Sequence, residues 1–248
     1  ARPVTLAHFR ALDLSADDKG GGKFDPVTVA DRGAEQAMRA VLAKLRPQDA
    51  ILGEEFGHQP GTSGLTWVLD PIDGTRGYIS GTPTWGVLIS VAGDDGPLFG
   101  IIDQPYIGER FVGGFGVAEV NGPHGHAVLQ TRLGRTLADA TILTTFPEVG
   151  TDFERRGFHA VSKQAKLTRY GMDCYGYALL AAGQVDLVIE AGLNAYDIQA
   201  PIAVIEAAGG IVTDWDGQPA HDGGRALAAA NPEIHAEALS ILQEVLHG

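Results

Sequence analysis

The sequence predicts an α/β layered fold, and two observations carry that prediction. In the second half of the chain, apolar segments of strand length alternate with segments of helical periodicity, which is typical of layered α/β domains. In the first half, three apolar strand segments follow one another, and the turn GDDG joins the last two. With 248 residues, 44% of them hydrophobic, the chain is long enough to bury a large core.

One helix is predicted in the first half, between residues 24 and 47. Five apolar residues share one face at helical spacing: Ala34, Met38, Val41, Leu42 and Leu45. Asp31 then lies near the amino-terminal end of this helix, where a negative charge is tolerated and can point at a neighbouring site. The Gly-rich residues 19–23, which include Lys23, come before this helix and are predicted to be mobile.

The other elements follow from short apolar runs. Four strands are predicted in the first half: residues 67–69, 85–91, 98–104 and 111–114. Residues 122–135 are polar and predicted to be irregular, so we divide the chain there into residues 1–135 and residues 136–248. The second half is predicted to contain a helix at 175–182, a strand at 186–190, a helix at 198–208, strands at 211–214 and 227–230, and a helix at 233–246.

Charge and cysteine content limit the classes of partner. The 31 acidic residues outnumber the 18 basic ones, and the net charge of -13 argues against nucleic acid or an anionic membrane as a partner. Cys174 is the single cysteine, which excludes an intrachain disulfide and a metal site built from cysteines.

No stretch reaches the roughly 18 to 20 apolar residues of a membrane span, and the amino terminus lacks a signal pattern. We therefore expect a cytoplasmic protein.

The segment WVLDPIDGTRGY carries most of the functional information. Asp70 and Asp73 stand three residues apart directly after an apolar strand, and such close carboxylates repel each other unless a cation lies between them. Pro71 fixes one backbone angle, and Gly74 lets the chain bend so that main-chain amides and the hydroxyl of Thr75 reach the same point. Hard divalent ions such as Mg²⁺ prefer carboxylate oxygens. The alternative is an ordinary Asp-Gly turn with a helix cap.

Three further acidic positions stand at the edges of apolar elements, where loops gather into sites. Glu54 lies in GEEFG, Asp197 in AYDIQAP, and Asp31 at the start of the predicted helix. An exposed charged turn explains GEEFG equally well, and helix capping explains Asp31 and Asp197. Each position alone is therefore a weak indication of a site.

Together these motifs resemble the inositol monophosphatase family of magnesium-dependent phosphatases. The family pattern GEE, DPIDGT and a downstream Trp-Asp is matched here by Gly53-Glu54-Glu55, by residues 70–75 and by Tyr196-Asp197, with Tyr where inositol phosphatases usually have Trp. The segments IIDQPYIGERF, RYGMDCYGY and VIEAGLNAYDIQAPIAVIEAAGGIVTDWDG most resemble bacterial histidinol-phosphate phosphatases. The resemblance implies an αβαβα sandwich, like that of fructose-bisphosphatase, and a homodimer.

The resemblance also implies roles for individual residues. Ligands of two Mg²⁺ ions are implied at Glu54, Asp70, the Ile72 carbonyl, Asp73 and Asp197, and Glu54 is open to a third, weaker ion. Catalytic roles are implied for Glu54 and for Thr75, which with Asp31 accepts the proton of the attacking water. The amides of Gly74 and Thr75 are implied to receive phosphate oxygens. Lys23 corresponds loosely to a lysine that the family often has near the site.

The resemblance implies that the residues around the leaving group determine which ester is preferred. Asp173 and Glu190 occupy positions that line the substrate pocket in this family, although surface or capping acids are the alternative for both. Two acids favour a cationic leaving group such as histidinol, whereas inositol offers only hydroxyl groups. We therefore expect hydrolysis of L-histidinol phosphate, with inositol monophosphatase or a broad sugar-phosphate phosphatase as the alternative. A catalytically silent regulator that binds a partner protein is the rival from another class.

Overall fold

A computed structural model describes residues 1–18 and 26–247, so residues 19–23 and Lys23 lie outside the described residues. The helices are α1 (Arg2–His8), α2 (Val29–Leu45), α3 (Thr75–Ile79), α4 (Asp152–Ser162), α5 (Asp173–Ala181), α6 (Ala195–Ala207) and α7 (Pro232–His247). The strands are β1 (Asp17–Asp18), β2 (Pro26–Val27), β3 (Ala50–Gly53), β4 (Gly57–Gln59), β5 (Thr66–Asp73), β6 (Gly86–Gly93), β7 (Gly96–Gln104), β8 (Glu109–Gly114), β9 (Val117–Gly122), β10 (Gly125–Val128), β11 (Thr141–Thr144), β12 (Leu167–Tyr170), β13 (Leu187–Asn194), β14 (Ile211–Thr213) and β15 (Gly223–Ala229).

Two large sheets alternate with helices in the order αβαβα. The larger sheet runs β10-β9-β8-β7-β6-β5-β3-β4, antiparallel except for the β3–β5 pair, and the smaller sheet runs β12-β11-β13-β15-β14. Helices α1 and α2 lie outside the larger sheet, α5 and α6 lie between the sheets, and α4 and α7 lie outside the smaller one. The expected layered architecture is confirmed.

Successive side chains of a strand point to opposite faces of the sheet, so neighbouring residues contact different helix layers. On β6, Val87 packs with the side chains of α2, whereas the next residue, Leu88, packs in the core between the sheets. On β13, Leu187 faces the layer of α4 and α7, whereas Val188 faces the central core. Both sheets are therefore buried on two faces, which explains why their central strands read as continuous apolar runs.

Close packing against the larger sheet fixes the position of α6. A Cβ atom added to Gly100 or Gly113 would collide with the backbone of Ala200 or Val204 in that helix. Glycine at these two strand positions lets the helix axis approach the sheet closely. The first turn of α6, which carries Asp197, is thereby held near the end of β5.

Two expectations about the first half are wrong in detail. Val41 and Leu45 are 54% and 66% exposed, because the buried face of α2 follows Ala34, Met38 and Leu42 at four-residue spacing and leaves them at its margin. Residues 122–135 are not wholly irregular, since β10 pairs with β9 as an exposed edge strand without an apolar pattern. The division at residue 135 falls between β10 and β11 and stays a prediction.

Several elements carry no clear signal in the sequence. Helix α4 and the short strands β4, β11 and β12 were not predicted, because each is short or largely polar. No helix among the described residues is long and apolar enough to cross a membrane.

Candidate active site

The DPIDGT segment forms a sharp junction between β5 and α3. The pairing of β5 with β6 shifts register between Asp70 and Asp73, where Pro71 has no N–H to donate to a ladder. Gly74 then adopts a left-handed conformation with φ +84° and precedes the first residue of α3, Thr75. The Thr75 hydroxyl donates to the Ile72 carbonyl at 3.0 Å and so closes the turn. The junction brings two carboxylates, a carbonyl and a hydroxyl to one point.

Three carboxylates from distant parts of the chain converge there. One oxygen each from Asp70, Asp73 and Asp197 lies within 4.8 Å of the other two. Burial raises the pKa of Asp70 and of Asp73 well above the usual range, and the neighbouring carboxylates raise both further. A divalent cation among these oxygens would offset the desolvation and the repulsion together, so this donor set fits a hard metal ion.

Glu54 joins the cluster from the end of β3. Its backbone N–H donates to the Leu69 carbonyl at 3.2 Å, which ties the GEE turn to β5. The buried Glu35 of α2 accepts hydrogen bonds from the amides of Glu55 at 2.7 Å and Phe56 at 3.3 Å. The Glu54 carboxylate contributes to the raised pKa of Asp70, after burial itself. Hydrogen bonds therefore fix the GEE turn beside the carboxylate cluster, and it is not simply an exposed charged turn.

Asp31 lies behind Thr75 and combines capping with a contact to the site. As the third residue of α2 it accepts from the Thr28 amide at 2.8 Å and the Thr28 hydroxyl at 2.5 Å. The Thr75 hydroxyl points at its other oxygen from 3.4 Å. Asp31 is 1% exposed, and the Thr75 hydroxyl connects it to the carboxylate cluster.

A cavity of about 450 Å³ collects the candidate residues from both halves. Among the residues that the structure describes, every site residue named from the sequence except Asp31 lines it: Glu54, Asp70, Ile72, Asp73, Gly74, Thr75, Asp173, Glu190 and Asp197. Its volume falls in the usual range for small-molecule sites.

Asp173 lies directly against the DPIDGT turn. It is the first residue of α5 and has a φ of +45°, a left-handed conformation that is rare outside glycine. Its carboxyl carbon lies 2.7 Å from where a Cβ of Gly74 would stand, and it accepts from the Thr84 hydroxyl at 3.1 Å. Burial raises the pKa of Asp173, opposed by the Thr84 hydrogen bond and the charge of Arg76.

Glu190 lines the same cavity from β13. The Thr145 amide and hydroxyl donate to one of its oxygens at 2.6 and 2.8 Å, and the Thr144 hydroxyl donates to the other at 3.1 Å. Burial raises the pKa of Glu190 to about 7, although these hydrogen bonds act in the opposite direction. The carboxylate is held rigidly by β11 and keeps capacity to accept a further hydrogen bond.

Arg76 and Phe146 are among the lining residues that the sequence analysis missed. Arg76 follows Thr75 in α3, and its guanidinium carbon lies 5.3 Å from the centre of the Phe146 ring. Phe146 stands two residues after the end of β11. Loops at strand ends supply many binding residues, but β11 itself was not predicted, so the sequence carried no signal for Phe146.

Comparison with known proteins identifies the family of this chain. A model of the inositol monophosphatase family matches residues 2–247. The chloroplastic bifunctional phosphatase IMPL2 of Arabidopsis thaliana is 40% identical, with 89% of this chain and 66% of that protein covered. A histidinol-phosphatase of Streptomyces coelicolor is 35% identical, with 98% and 93% covered. The structure of an inositol monophosphatase from Zymomonas mobilis matches with a TM-score of 0.85 at 39% identity, with 98% and 92% covered.

The chain belongs to the inositol monophosphatase family. Within that family it is a phosphatase, an enzyme that hydrolyses phosphoric monoesters, and the family is metal-dependent. Asp70, Asp73 and Asp197 are the carboxylates that fit this dependence best among the residues that the structure describes.

Proposed function

We propose that this protein hydrolyses L-histidinol phosphate to L-histidinol and phosphate, a step of histidine biosynthesis, with Mg²⁺ as cofactor. The observation that carries the proposal is that two further acids, Asp173 and Glu190, line the same cavity as the carboxylate cluster. A cluster alone accounts for any phosphate ester. The two additional acids favour an ester whose alcohol carries positive charge.

We assign the metal ions and the phosphate group to the part of the cavity at the DPIDGT turn, here called the phosphate end. Glu54, Asp70, Asp73, Asp197 and the Ile72 carbonyl would hold two Mg²⁺ ions, with a third, weaker ion at Glu54. Bound Mg²⁺ would lower the pKa of a water molecule, neutralise phosphate oxygens and stabilise the leaving alkoxide.

Two further tasks at this end belong to the protein itself. The Thr75 hydroxyl accepts the proton of the attacking water and passes its own proton to the Asp31 carboxylate, whose oxygen lies 3.4 Å away. The amides of Gly74 and Thr75 receive phosphate oxygens at the turn into α3. A covalent phosphoenzyme is not needed for this chemistry.

The position of Asp173 suits an amino alcohol phosphate. In histidinol phosphate the amine is attached to the carbon next to the one that carries the ester oxygen, so its ammonium group lies close to the phosphate. Asp173 lies against Gly74, immediately beside the residues assigned to the phosphate. An ammonium group there would form a charge-assisted hydrogen bond, and an inositol hydroxyl would form a weaker neutral one.

Inositol phosphate is the second candidate substrate. The solved structure matched at 39% identity is named as an inositol monophosphatase, and both acids can also accept hydrogen bonds from hydroxyl groups. A broad sugar-phosphate phosphatase would use the same contacts. The family membership and the complete set of carboxylates favour any of these enzymes over a silent regulator.

Phosphate release distinguishes the candidates. The purified protein with Mg²⁺ is assayed on L-histidinol phosphate, inositol 1-phosphate, fructose 1,6-bisphosphate and a nucleoside monophosphate, with a chelator as the blank. We expect kcat/KM to be highest for histidinol phosphate by at least about tenfold, which corresponds to one additional charged contact. A preference for inositol 1-phosphate would overturn the proposal.

Asp173→Asn tests the assigned discriminating contact. We expect kcat/KM for histidinol phosphate to fall by about 10- to 100-fold, because the ammonium group loses a charged partner, and to change little for inositol 1-phosphate. The Asn side chain keeps the shape and can still accept from Thr84. Equal losses for both esters would show that Asp173 only supports the DPIDGT turn.

The homodimeric state and the cytoplasmic location expected from the sequence remain predictions. Light scattering coupled to size-exclusion chromatography measures the mass in solution and tests the dimer directly.

A further inference from the structure

Phe146 presents an aromatic ring to the cavity beside Glu190. The residue before it, Thr145, donates both its amide and its hydroxyl to the Glu190 carboxylate, at 2.6 and 2.8 Å. This double hydrogen bond fixes the backbone next to Phe146 relative to that carboxylate. The Phe146 side chain is 43% exposed and lines the cavity. The Phe146 ring and the Glu190 carboxylate are therefore neighbours in the lining of the cavity.

The ring already holds a planar cation. The guanidinium carbon of Arg76 lies 5.3 Å from the Phe146 ring centre, within the range of a cation–π contact. Arg76 belongs to α3 in the first half of the chain, whereas Phe146 follows β11 in the second half. The guanidinium group is flat, delocalised and weakly hydrated, which suits it to stacking on an aromatic face.

An imidazolium ring shares these properties with a guanidinium group. It is flat, it carries one delocalised positive charge below its ordinary pKa of about 6.5, and it has N–H donors at its edge. A ring stacked on Phe146 would present one N–H toward Glu190, which keeps capacity to accept. Asp173, which lies against Gly74, is left for the ammonium group.

We propose that Phe146 is a specificity-determining residue, whose ring stacks on the flat cationic ring of the leaving group in place of the Arg76 guanidinium, next to Glu190. The inference rests on the proposed function and deepens it by assigning the ring to Phe146 and the ammonium group to Asp173. An ester with an amine alone is therefore expected to bind more weakly than an ester with an amine and a flat cationic ring.

The simpler role for the Arg76–Phe146 contact is a bridge that stabilises the two halves. A bridge predicts that loss of the ring lowers the melting temperature and reduces the hydrolysis of every ester to the same degree. Recognition of the leaving group predicts a change in KM that depends on whether the ester carries a ring.

The experiment compares Phe146→Leu, Phe146→Tyr and the wild type on three esters with Mg²⁺ present. L-histidinol phosphate carries an amine and a ring, O-phosphoethanolamine carries an amine without a ring, and inositol 1-phosphate carries neither. Phe115→Leu is the matched control, because Phe115 is 74% exposed, stacks on Phe99 and does not line this cavity. Circular dichroism and melting temperatures establish that each variant is folded.

We expect Phe146→Leu to raise KM for histidinol phosphate about tenfold, with kcat for that ester and both constants for the other two esters changed less than about twofold. Phe146→Tyr keeps the aromatic face and should keep the wild-type KM, as should Phe115→Leu. An unchanged KM for histidinol phosphate, or equal losses on all three esters, overturns the inference alone. A wild type that does not hydrolyse histidinol phosphate overturns the proposed function, and the inference with it.

Discussion

The two ends of the cavity are built from different kinds of structure. At the phosphate end, Asp70 and Asp73 end a strand, and Asp31 and Asp197 each stand third in a helix, so main-chain geometry aims these carboxylates. At the leaving-group end, Glu190 depends on hydrogen bonds from a neighbouring strand, and Phe146 stands in a connection without regular structure.

We infer from this difference that the phosphate end determines the reaction and the leaving-group end determines which ester is preferred. Strand ends and helix starts fix the residues that are assigned to the metals and the phosphate. Asp173 also begins a helix, but Phe146 stands in a connecting segment that is free to change its side chains. We therefore expect substitutions at the phosphate end to affect all esters alike, and substitutions at the leaving-group end to discriminate among them. The following predictions test that division, from the largest effect to the smallest.

The largest effect is expected from Asp73→Asn. Asparagine keeps the shape and can still accept from the Cys174 amide, which donates to Asp73 at 2.6 Å, but it removes one charge from the cluster. We expect kcat/KM to fall by about 10³-fold or more on every ester, because the bound cation supplies several kcal/mol to the transition state. Phosphate release measures the loss.

The control for this prediction is Asp222→Asn, which changes an acid whose side chain is 96% exposed. It should retain wild-type activity and stability. An Asp73→Asn enzyme that still turns over at the wild-type rate would count against the metal assignment.

A smaller uniform effect is expected from Thr75→Val. The substitution removes the hydroxyl that contacts Asp31 and the Ile72 carbonyl and leaves the shape nearly unchanged. General base catalysis contributes about 10²- to 10⁴-fold, so kcat should fall by at least about 10²-fold on all esters with KM nearly constant. Thr75→Ser, which restores the hydroxyl, should recover most of kcat. A Ser variant as slow as the Val variant would contradict the role of the hydroxyl.

The smallest effect concerns stability and distinguishes Glu190 from the metal cluster. Its pKa is about 7 in the folded protein, against an ordinary value of 4.5. Between these values the folded state retains a proton that the unfolded state has lost, so the free energy of unfolding decreases as the pH rises from about 4.5 to 7. Glu190→Gln lacks this titration and should gain stability relative to the wild type across that window, by up to about 3 kcal/mol.

Urea unfolding of both proteins at several pH values, with a chelator present, gives this difference directly. Subtracting the two curves removes the titration of the other carboxylates, which both proteins share. A difference that stays constant between pH 4.5 and 7 would show that Glu190 is ionised throughout.

The phosphate end was predictable from the sequence because its signals are local. The turn at Gly74, the proline at 71 and the acids at element ends are each visible within a few residues. The sequence does not show that Asp197 meets Asp70 and Asp73, because that depends on how closely α6 packs on Gly100 and Gly113. The resemblance to a family supplied this contact before the structure did.

The leaving-group end was predictable only in part. Asp173 and Glu190 came from motif positions, but Phe146 and Arg76 meet across the two halves, and no spacing in the sequence encodes that contact. The burial of Val41 and Leu45 in α2 was wrongly predicted for a related reason. Val41 fits the apolar face by periodicity, but whether a marginal residue is covered depends on the neighbouring elements.

Anomalous diffraction from a crystal of this protein soaked in Mn²⁺, which takes the same oxygen ligands as Mg²⁺, tests the assigned metal site directly. We expect a strong peak within coordination distance of carboxylate oxygens from Asp70, Asp73 and Asp197, with a second peak toward Glu54. Saturating Mn²⁺ that binds elsewhere and leaves no peak among these carboxylates would contradict this assignment.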